Sequence, residues 1–511
     1  MQDLKWFSKF TKQALSSEEM KAVELNAENL GITELQMMES AGKAVADFIE
    51  RRFKGKKKLL VLCGNGNKGG DGFVTARYLS KSHDVVVGIA GGREKIKGAS
   101  PLINLKALEA CGVEIVENVE YELRTVLDHA DLVVDALVGT GFHGPLRSPI
   151  KEIVRTLNDS KKEVVAIDLP SGLDATTGYE KEAVRATYTI TFHKMKEGLL
   201  KSKKAGRIVC ADIGIPLKAE VFTGPGDLLM AVPKKELFEN KLSRGRVLIL
   251  GGSKEFYGAP SMAAIAAYNA LATLRSGAGY VVLMVPNSIL KVTREVSPNL
   301  IVRAAGEDYI TDLKAIKQEI DKSNVVGIGT GIGRSIEALE AAKEIVKYAL
   351  DKNKRLVIDA DALYALGRIS LSKNTVLTPQ EKEFETLYGR KPETEVDKRV
   401  RQAIKLANKL NVVVALKGHI TVITDGKQVK LNETETAALA TMGTGDILTG
   451  IIAGFATNGA QSMFNITAGA VYLHGRIGDI LAKEKGTHIL ASDLIDQIPL
   501  IASQYSDNTV V

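Results

Sequence analysis

Residues 57–63, KKLLVLC, run directly into Gly64-Asn65-Gly66-Asn67-Lys68-Gly69-Gly70-Asp71-Gly72, and those into FVTARYLSK at 73–81. A short apolar run, a glycine turn and a helical pattern together make a strand-to-helix junction. Glycines there let the backbone approach a phosphate, and the first helical amides favour an anion. The same alternation repeats outward in HDVVVGIA (83–90), ADLVVDAL (130–137), EVVAIDLP (163–170), ATYTITF (186–192) and GRIVCADIGI (206–215). It predicts parallel strands with crossover helices and functional loops at the carboxyl ends of the strands.

A second series follows: RVLILGG (246–252), YVVLMVP (280–286), NVVGIGTG (324–331), RLVIDADAL (355–363), NTVLTP (374–379) and VVVALKG (412–418). Between the two series, Pro and Gly punctuation replaces periodicity, which puts a domain boundary near residues 218 to 240. The expected organisation is an α/β domain over 1–220, a boundary region over 221–240 and a second α/β domain over 241–511. No short-period repeat links them, so they read as separate domains rather than copies.

The 511 residues are 45% hydrophobic and 25% charged, enough for ordinary cores in more than one domain. A net charge of +7 is mild, and the basic residues are scattered, with clusters at Lys54 to Lys58 and Lys201 to Lys204. No aromatic-interleaved basic stripe marks a nucleic-acid partner. Cys63, Cys111 and Cys210 are too few and dispersed for a disulfide framework or a CxxC site, so a reducing, cytoplasmic setting is the default. Neither a signal-peptide pattern nor an apolar stretch of membrane-spanning length is present, and no membrane partner is expected. The histidines lack metal-ligand spacing, which speaks against zinc. The small-residue stretch Ala263 to Ala272 suits tight internal packing or, as the less favoured reading, a homo-oligomer interface.

Asp135 ends one strand and precedes Gly139-Thr140-Gly141-Phe142-His143-Gly144, while Asp168 ends the next and precedes Leu169-Pro170-Ser171-Gly172. Carboxylates at successive strand ends converge on one crevice in an open parallel sheet. With Glu39-Ser40-Ala41-Gly42, GNGNKGGDG, VDALVGTGFHGPLR and IDLPSGLDATTG, residues 10 to 215 resemble the YjeF N-terminal family, the NAD(P)H-hydrate epimerases. The resemblance implies a Rossmann-like domain in which Asn67, Lys68, Gly69, Gly70 and Asp71, with Gly139, Thr140, Gly141, Phe142, His143, Gly144 and Pro145, cradle the hydrated dinucleotide. Asp168 would contact the reacting ring. Proton transfer by a carboxylate suits epimerisation beside an enamine-like ring, so Asp168 is the acid/base candidate; the alternative is a structural cap.

The same resemblance implies a potassium site built from an Asn in the first turn, Asp135 and Ser171. Here the usual Asn-Asn pair reads Asn67-Lys68. Lys68 either fills the cation position with its ammonium, points away and abolishes it, or faces solvent while carbonyls retain the ion.

Near the other end, Ala440-Thr441-Met442-Gly443-Thr444-Gly445-Asp446 opens a helix of small residues. Helix-start amides hold an anion and favour an ionised carboxylate, so Asp446 suits a base beside a phosphate. GTGD is characteristic of ribokinase-like folds. With the stretches at 251–281, 326–334, 357–363, 377–384 and 415–422, residues 235 to 505 resemble the YjeF C-terminal family, the NAD(P)H-hydrate dehydratases. The resemblance implies that Ala259, Gly331, Gln380 and Asp446 meet the substrate. Lys417, Gly418, His419, Ile420 and Thr421, with Leu439, Ala440, Thr441, Met442, Gly443, Thr444 and Gly445, would bind ADP, or alternatively ATP. Magnesium is expected as charge neutraliser.

Relatives carry a histidine where this chain has Gln380, which hydrogen-bonds but does not titrate near neutral pH. NADHX and NADPHX are the implied small-molecule substrates. The competing readings are a ribokinase-type small-molecule kinase and a non-catalytic amino-terminal binding module.

Overall fold

Strand Lys58–Cys63 stands third in a seven-stranded sheet, inside it because the chain first adds strands on one side of it and then crosses to the other. The order is Glu114–Glu117, Asp84–Ile89, Lys58–Cys63, Leu132–Ala136, Glu163–Ile167, Tyr188–Phe192, Arg207–Ala211, all parallel. The direction of winding reverses between Lys58–Cys63 and Leu132–Ala136, and an open parallel sheet forms its crevice at such a point. The computed structural model describes residues 4–234, 240–241, 243–254, 260–434 and 436–506, with backbone alone over 260–265.

This sheet belongs to a compact unit, Lys12–Pro216. Its first crossover helix, Asn67–Leu79, lies tight on the sheet because Gly72 faces it: a Cβ there would meet Cys63 Sγ at 2.6 Å and Ala136 Cβ at 2.7 Å.

The second unit contains everything from Leu217 onward. Its nine-stranded sheet runs Ile301–Ala304, Tyr280–Val285, Arg246–Leu250, Val325–Ile328, Arg355–Ile358, Thr375–Leu377, Val413–Leu416, Ile420–Thr424, Val429–Glu433. The first seven are parallel and the last two antiparallel. Winding reverses between Arg246–Leu250 and Val325–Ile328. Alternate residues of the central strands enter separate cores, Val247 and Ile249 on one face, Leu248 and Leu250 on the other. Helices cover both faces, which is why these strands are continuously apolar rather than alternating. The α/β class with two parallel-sheet domains is thus as expected.

Helices Pro260–Arg275 and Thr444–Phe455 pack with their backbones almost in contact: Cβ atoms on Gly450 and Gly454 would meet Asn269 O at 2.4 Å and Thr273 O at 2.7 Å. Ala266, Ala267, Ala270 and Ala272 are buried in that core, so the small residues here serve internal packing. The segment read as a boundary carries helix Pro225–Ala231, packed against Met463–Lys485. The amino-terminal turn Leu4–Phe10, read above with the first domain, belongs to the second unit. Phe7 is fully buried in the second unit's core, and Arg401 lies over the Trp6 ring. Among the described residues no helix is long and apolar enough to cross a membrane.

Candidate active sites

In the first unit the glycine turn is held by close backbone approach. A Cβ on Gly64 would lie 1.8 Å from Leu137 O, and one on Gly69 would lie 2.0 Å from Gly64 O. Two loops at the switch point therefore touch only because glycines stand there. Asp135, next to last in Leu132–Ala136, is fully buried. It accepts from Leu137 N at 3.2 Å, Ser171 N at 2.7 Å and Ser171 Oγ at 2.5 Å.

Lys68, one residue into the helix, turns its side chain inward. Its ammonium donates to Leu169 O at 2.6 Å, Ser171 Oγ at 2.9 Å, Val138 O at 3.1 Å and Asp135 Oδ2 at 3.3 Å. The side chain therefore neither points away from Asp135 and Ser171 nor faces solvent. Burial lowers its pKa, and the Asp135 charge and hydrogen bond oppose that.

Asp168 adopts a left-handed backbone at φ 58° and points at a cation that the sequence reading missed. Lys196, 1% exposed, donates to Asp168 Oδ1 at 2.6 Å, and Thr191 Oγ1 donates to the same oxygen at 3.0 Å. Lys196 is fixed because Met195–Lys196 pairs in parallel with Ala14–Leu15. Burial raises the Asp71 carboxyl well above the usual range, and the nearby charges of Asp168 and Glu24 push the same way. Glu24, also missed, is raised to about 7, first by burial, with Lys196 opposing and Asp168 reinforcing. Lys68 opposes the rise at Asp71 as Lys196 does at Glu24, so two carboxyls with raised pKa lie in the field of Asp168, which is paired with Lys196.

The other expected cradle residues sit more openly. Asn67 is exposed and donates to Glu34 at 2.8 Å; Thr140 O accepts from Ser17 Oγ at 2.7 Å. Gly139 lies against the Lys68 stem, Phe142 is half-buried, and Gly141, Gly144 and Pro145 are exposed. His143 Nδ1 is 2.9 Å from Asp174 Oδ2.

In the second unit, Asp446 stands in the first turn of Thr444–Phe455, following Gly443 at φ 90°. Its Oδ1 accepts from Thr330 Oγ1 at 2.7 Å, which joins the helix start to the loop 329–333 containing Gly331. Burial lifts the Asp446 carboxyl to about 7, Asp359 adds to the rise, and Thr330 and Lys417 oppose it. Asp359 ends strand Arg355–Ile358, 2% exposed, and takes Lys417 Nζ at 2.9 Å and Thr449 Oγ1 at 2.7 Å. For Lys417, burial works against the charge, but Asp359 and Glu383 outweigh it and hold its pKa above the ordinary lysine value. A Cβ on Gly445 would lie 3.4 Å from Lys417 Nζ. The lysine and the GTGD turn, far apart in sequence, therefore meet.

Across the switch point, Gly252 N donates to Thr330 O at 2.8 Å, so the GGSK loop borders the same place. Ser253 Oγ and Asn269 Oδ1 are buried there with no hydrogen-bond partner among the described residues. Buried polar atoms without partners are uncommon.

Beneath the turn, buried His474 donates from Nε2 to Thr444 O at 2.9 Å, and burial lowers its pKa to about 4. Thr444 Oγ1 donates to Leu439 O at 2.7 Å and Thr441 O at 2.9 Å, which fixes the turn internally. Ala440 is exposed, and Met442 is 69% exposed. Gln380 is exposed at the start of Glu381–Tyr388, its N–H donating to Glu383 at 2.7 Å. Gly418 and His419 are exposed, Ile420 and Thr421 half-buried. Ala259 lies outside the described residues.

Asp359 was legible by the rule that selected Asp135 and Asp168, an acidic residue closing a strand. Lys196 and His474 carry no such local signal.

Two family models match the chain: one described as YjeF-related protein N-terminus over residues 34–198, the other as NAD(P)H-hydrate dehydratase over 247–500. A protein of Pyrobaculum aerophilum named bifunctional NAD(P)H-hydrate repair enzyme is 38% identical over 509 residues, covering 98% of this chain and 100% of its own. One of the same name from Archaeoglobus fulgidus is 36% identical over 488 residues, 95% of this chain and 97% of its own. A crystal structure of the Bacillus subtilis ADP/ATP-dependent NAD(P)H-hydrate dehydratase, co-crystallised with ATP and Mg2+, is 26% identical. It covers 56% of this chain and 98% of its own at a TM-score of 0.46.

Proposed function

The chain belongs to the family of bifunctional NAD(P)H-hydrate repair enzymes, and from that premise we propose that it restores hydrated nicotinamide cofactors in two steps. The Lys12–Pro216 unit, as an isomerase, interconverts the R and S hydrates of NADH and NADPH. The second unit, as a lyase, dehydrates the S hydrate while consuming ADP or ATP. The observation that carries the reading is Asp446, a carboxyl raised to about 7 at a helix start, with Lys417 beside the same turn.

In the dehydratase reaction, Asp446 takes the proton of the ring hydroxyl as that oxygen attacks the terminal phosphorus of the nucleotide. The new bond is oxygen to phosphorus, and the bond to the bridging nucleotide oxygen breaks. Phosphate, a better leaving group than hydroxide, then departs with the ring carbon–oxygen bond, and loss of a proton from the adjacent carbon restores the ring double bond. Lys417 and the GTGD amides offset charge on the transferring group. Ser253 Oγ and Asn269 Oδ1 are free to take polar groups of the substrate.

Magnesium fits as an ion carried in with the nucleotide. Among the described residues no three metal-liganding side chains converge, and Mg2+ is usually held by one or two carboxylates plus phosphates, a role open to Asp359. When bound it neutralises phosphate charge.

In the epimerase reaction, Asp168, paired with Lys196 at 2.6 Å, serves as proton acceptor, and the raised carboxyls Asp71 and Glu24 serve as proton donors. We place the enzyme in the cytoplasm, where its free cysteines remain reduced.

The test uses the full chain with mixed R and S NADHX, with and without ADP, following NADH absorbance and phosphate release. Conversion of both epimers with phosphate release is expected. Conversion of the S fraction alone would leave only the dehydratase. A stable phosphorylated product would indicate a small-molecule kinase, and no change would refute the reading.

A further inference from the structure

The resemblance of the first unit implies a potassium ion, and the residues present do not fit one. The place bounded by Asp135, Ser171 and the carbonyls of Val138 and Leu169 is an all-oxygen shell suited to a hard monovalent cation. A lysine ammonium fills it, 2.6 to 3.3 Å from each of the four oxygens. The Lys68 side chain is 5% exposed, and its stem runs along Gly139, where a Cβ would come within 3.3 Å of Lys68 Cβ. The shell holds one carboxylate, and the ammonium already balances it. A second cation would share occupied oxygens with an uncompensated positive charge, a costly arrangement in a buried site.

We infer that Lys68 is a built-in replacement for an exchangeable monovalent cation, so that the first unit folds its switch-point loops and epimerises without potassium. The ammonium ties together the loops beginning at Gly64, Leu137 and Asp168, which carry the expected substrate cradle and Asp168. It acts as a positioning residue. Unlike a free ion, it has no binding equilibrium and is never lost to dilution, because the chain itself delivers it from the first turn of helix Asn67–Leu79. The inference rests on the epimerase reading only for its activity arm.

The test compares the full chain with Lys68→Asn in potassium, sodium and tetramethylammonium chloride at equal ionic strength. It reads epimer interconversion and amide hydrogen exchange in peptides spanning 137–141 and 168–172. For the unmodified chain both readouts are expected to be the same in all three salts. For Lys68→Asn, exchange in both peptides should speed up by at least about tenfold in tetramethylammonium, because Asp135 loses its countercharge, and potassium should restore protection and epimerisation.

A rise of about tenfold in wild-type activity or protection on adding potassium, beyond what equal ionic strength allows, would overturn the inference. So would a Lys68→Asn chain indifferent to the cation. If that variant fails to fold, the wild-type comparison decides alone. If no salt supports epimerisation, the proposed function fails, while hydrogen exchange still decides whether Lys68 replaces the ion.

Discussion

Replacing Thr330 with Val should move the acid limb of the dehydratase pH profile upward without removing any group from the reaction. Thr330 Oγ1 donates to Asp446 Oδ1 at 2.7 Å, and this bond favours the ionised carboxylate. Asp446 starts at about 7. Its ionised fraction is then about a tenth at pH 6, about half at pH 7 and about nine-tenths at pH 8. A hydrogen bond to a charged group contributes about 1.5–3 kcal/mol, and about 1.4 kcal/mol corresponds to one pH unit. Asp446 is partly exposed, so water recovers some of the lost bond and the lower end, about one pH unit, is the expected displacement.

At pH 7 the ionised fraction would drop from about half to about a tenth, a roughly fivefold loss of rate, and at pH 9 the two proteins would be nearly equal. The assay is the initial rate of NADH formation from the S hydrate with ADP, taken as kcat/KM across the pH range, which reports the free enzyme's group. A uniform loss at every pH, or an unmoved limb, would refute the idea that Asp446 works as a base poised by Thr330.

Asp446→Asn should abolish dehydration yet stabilise the fold above neutral pH. The folded pKa of about 7 lies above the ordinary carboxyl value, so the folded state binds more protons between pH 4 and 7 and loses stability as pH rises. The asparagine chain should gain up to a few kcal/mol at pH 8 and nothing at pH 4, which denaturant melts would read. His474 has the opposite sign: its folded pKa of about 4 lies below the ordinary histidine value, so stability present above pH 6.5 is lost as pH falls towards 4. His474→Leu should flatten that loss in the same melts. Lys196→Met leaves the partly buried Asp168 without its cation, and epimerisation should fall by at least about tenfold while dehydration of pure S hydrate is unchanged. Gly69→Ala would put a methyl 2.0 Å from Gly64 O and should likewise silence only the epimerase, measured as R-to-S conversion.

Much of this was legible because buried parallel strands are continuous apolar runs closed by acidic or glycine turns. The strands around Lys58–Cys63 and Arg246–Leu250, with Asp135, Asp168 and Asp446 at their sites, stand out for that reason. Edge strands do not. Glu114–Glu117 and Ile301–Ala304 have partly exposed faces and mix charges with apolar residues, so neither period is clear. Ile420–Thr424 and Val429–Glu433 pair antiparallel at the far edge, outside the βα alternation.

The sites show the same division. Residues inside a turn announce themselves, whereas Lys196, from a two-residue strand pairing, and His474, from the middle of Met463–Lys485, meet Asp168 and Thr444 only through tertiary packing. Lys68 lay between these cases: its departure from the family pattern was visible, but the direction of its side chain depended on four oxygens brought by other loops.

If two sites act in series on one damaged cofactor, the pure R hydrate supplied with ADP must yield NADH. The full chain should convert the R hydrate completely, and Asp168→Asn should form NADH from the S hydrate but not from the R. No NADH from the R hydrate with the unmodified chain, or equal use of both epimers by Asp168→Asn, would contradict it.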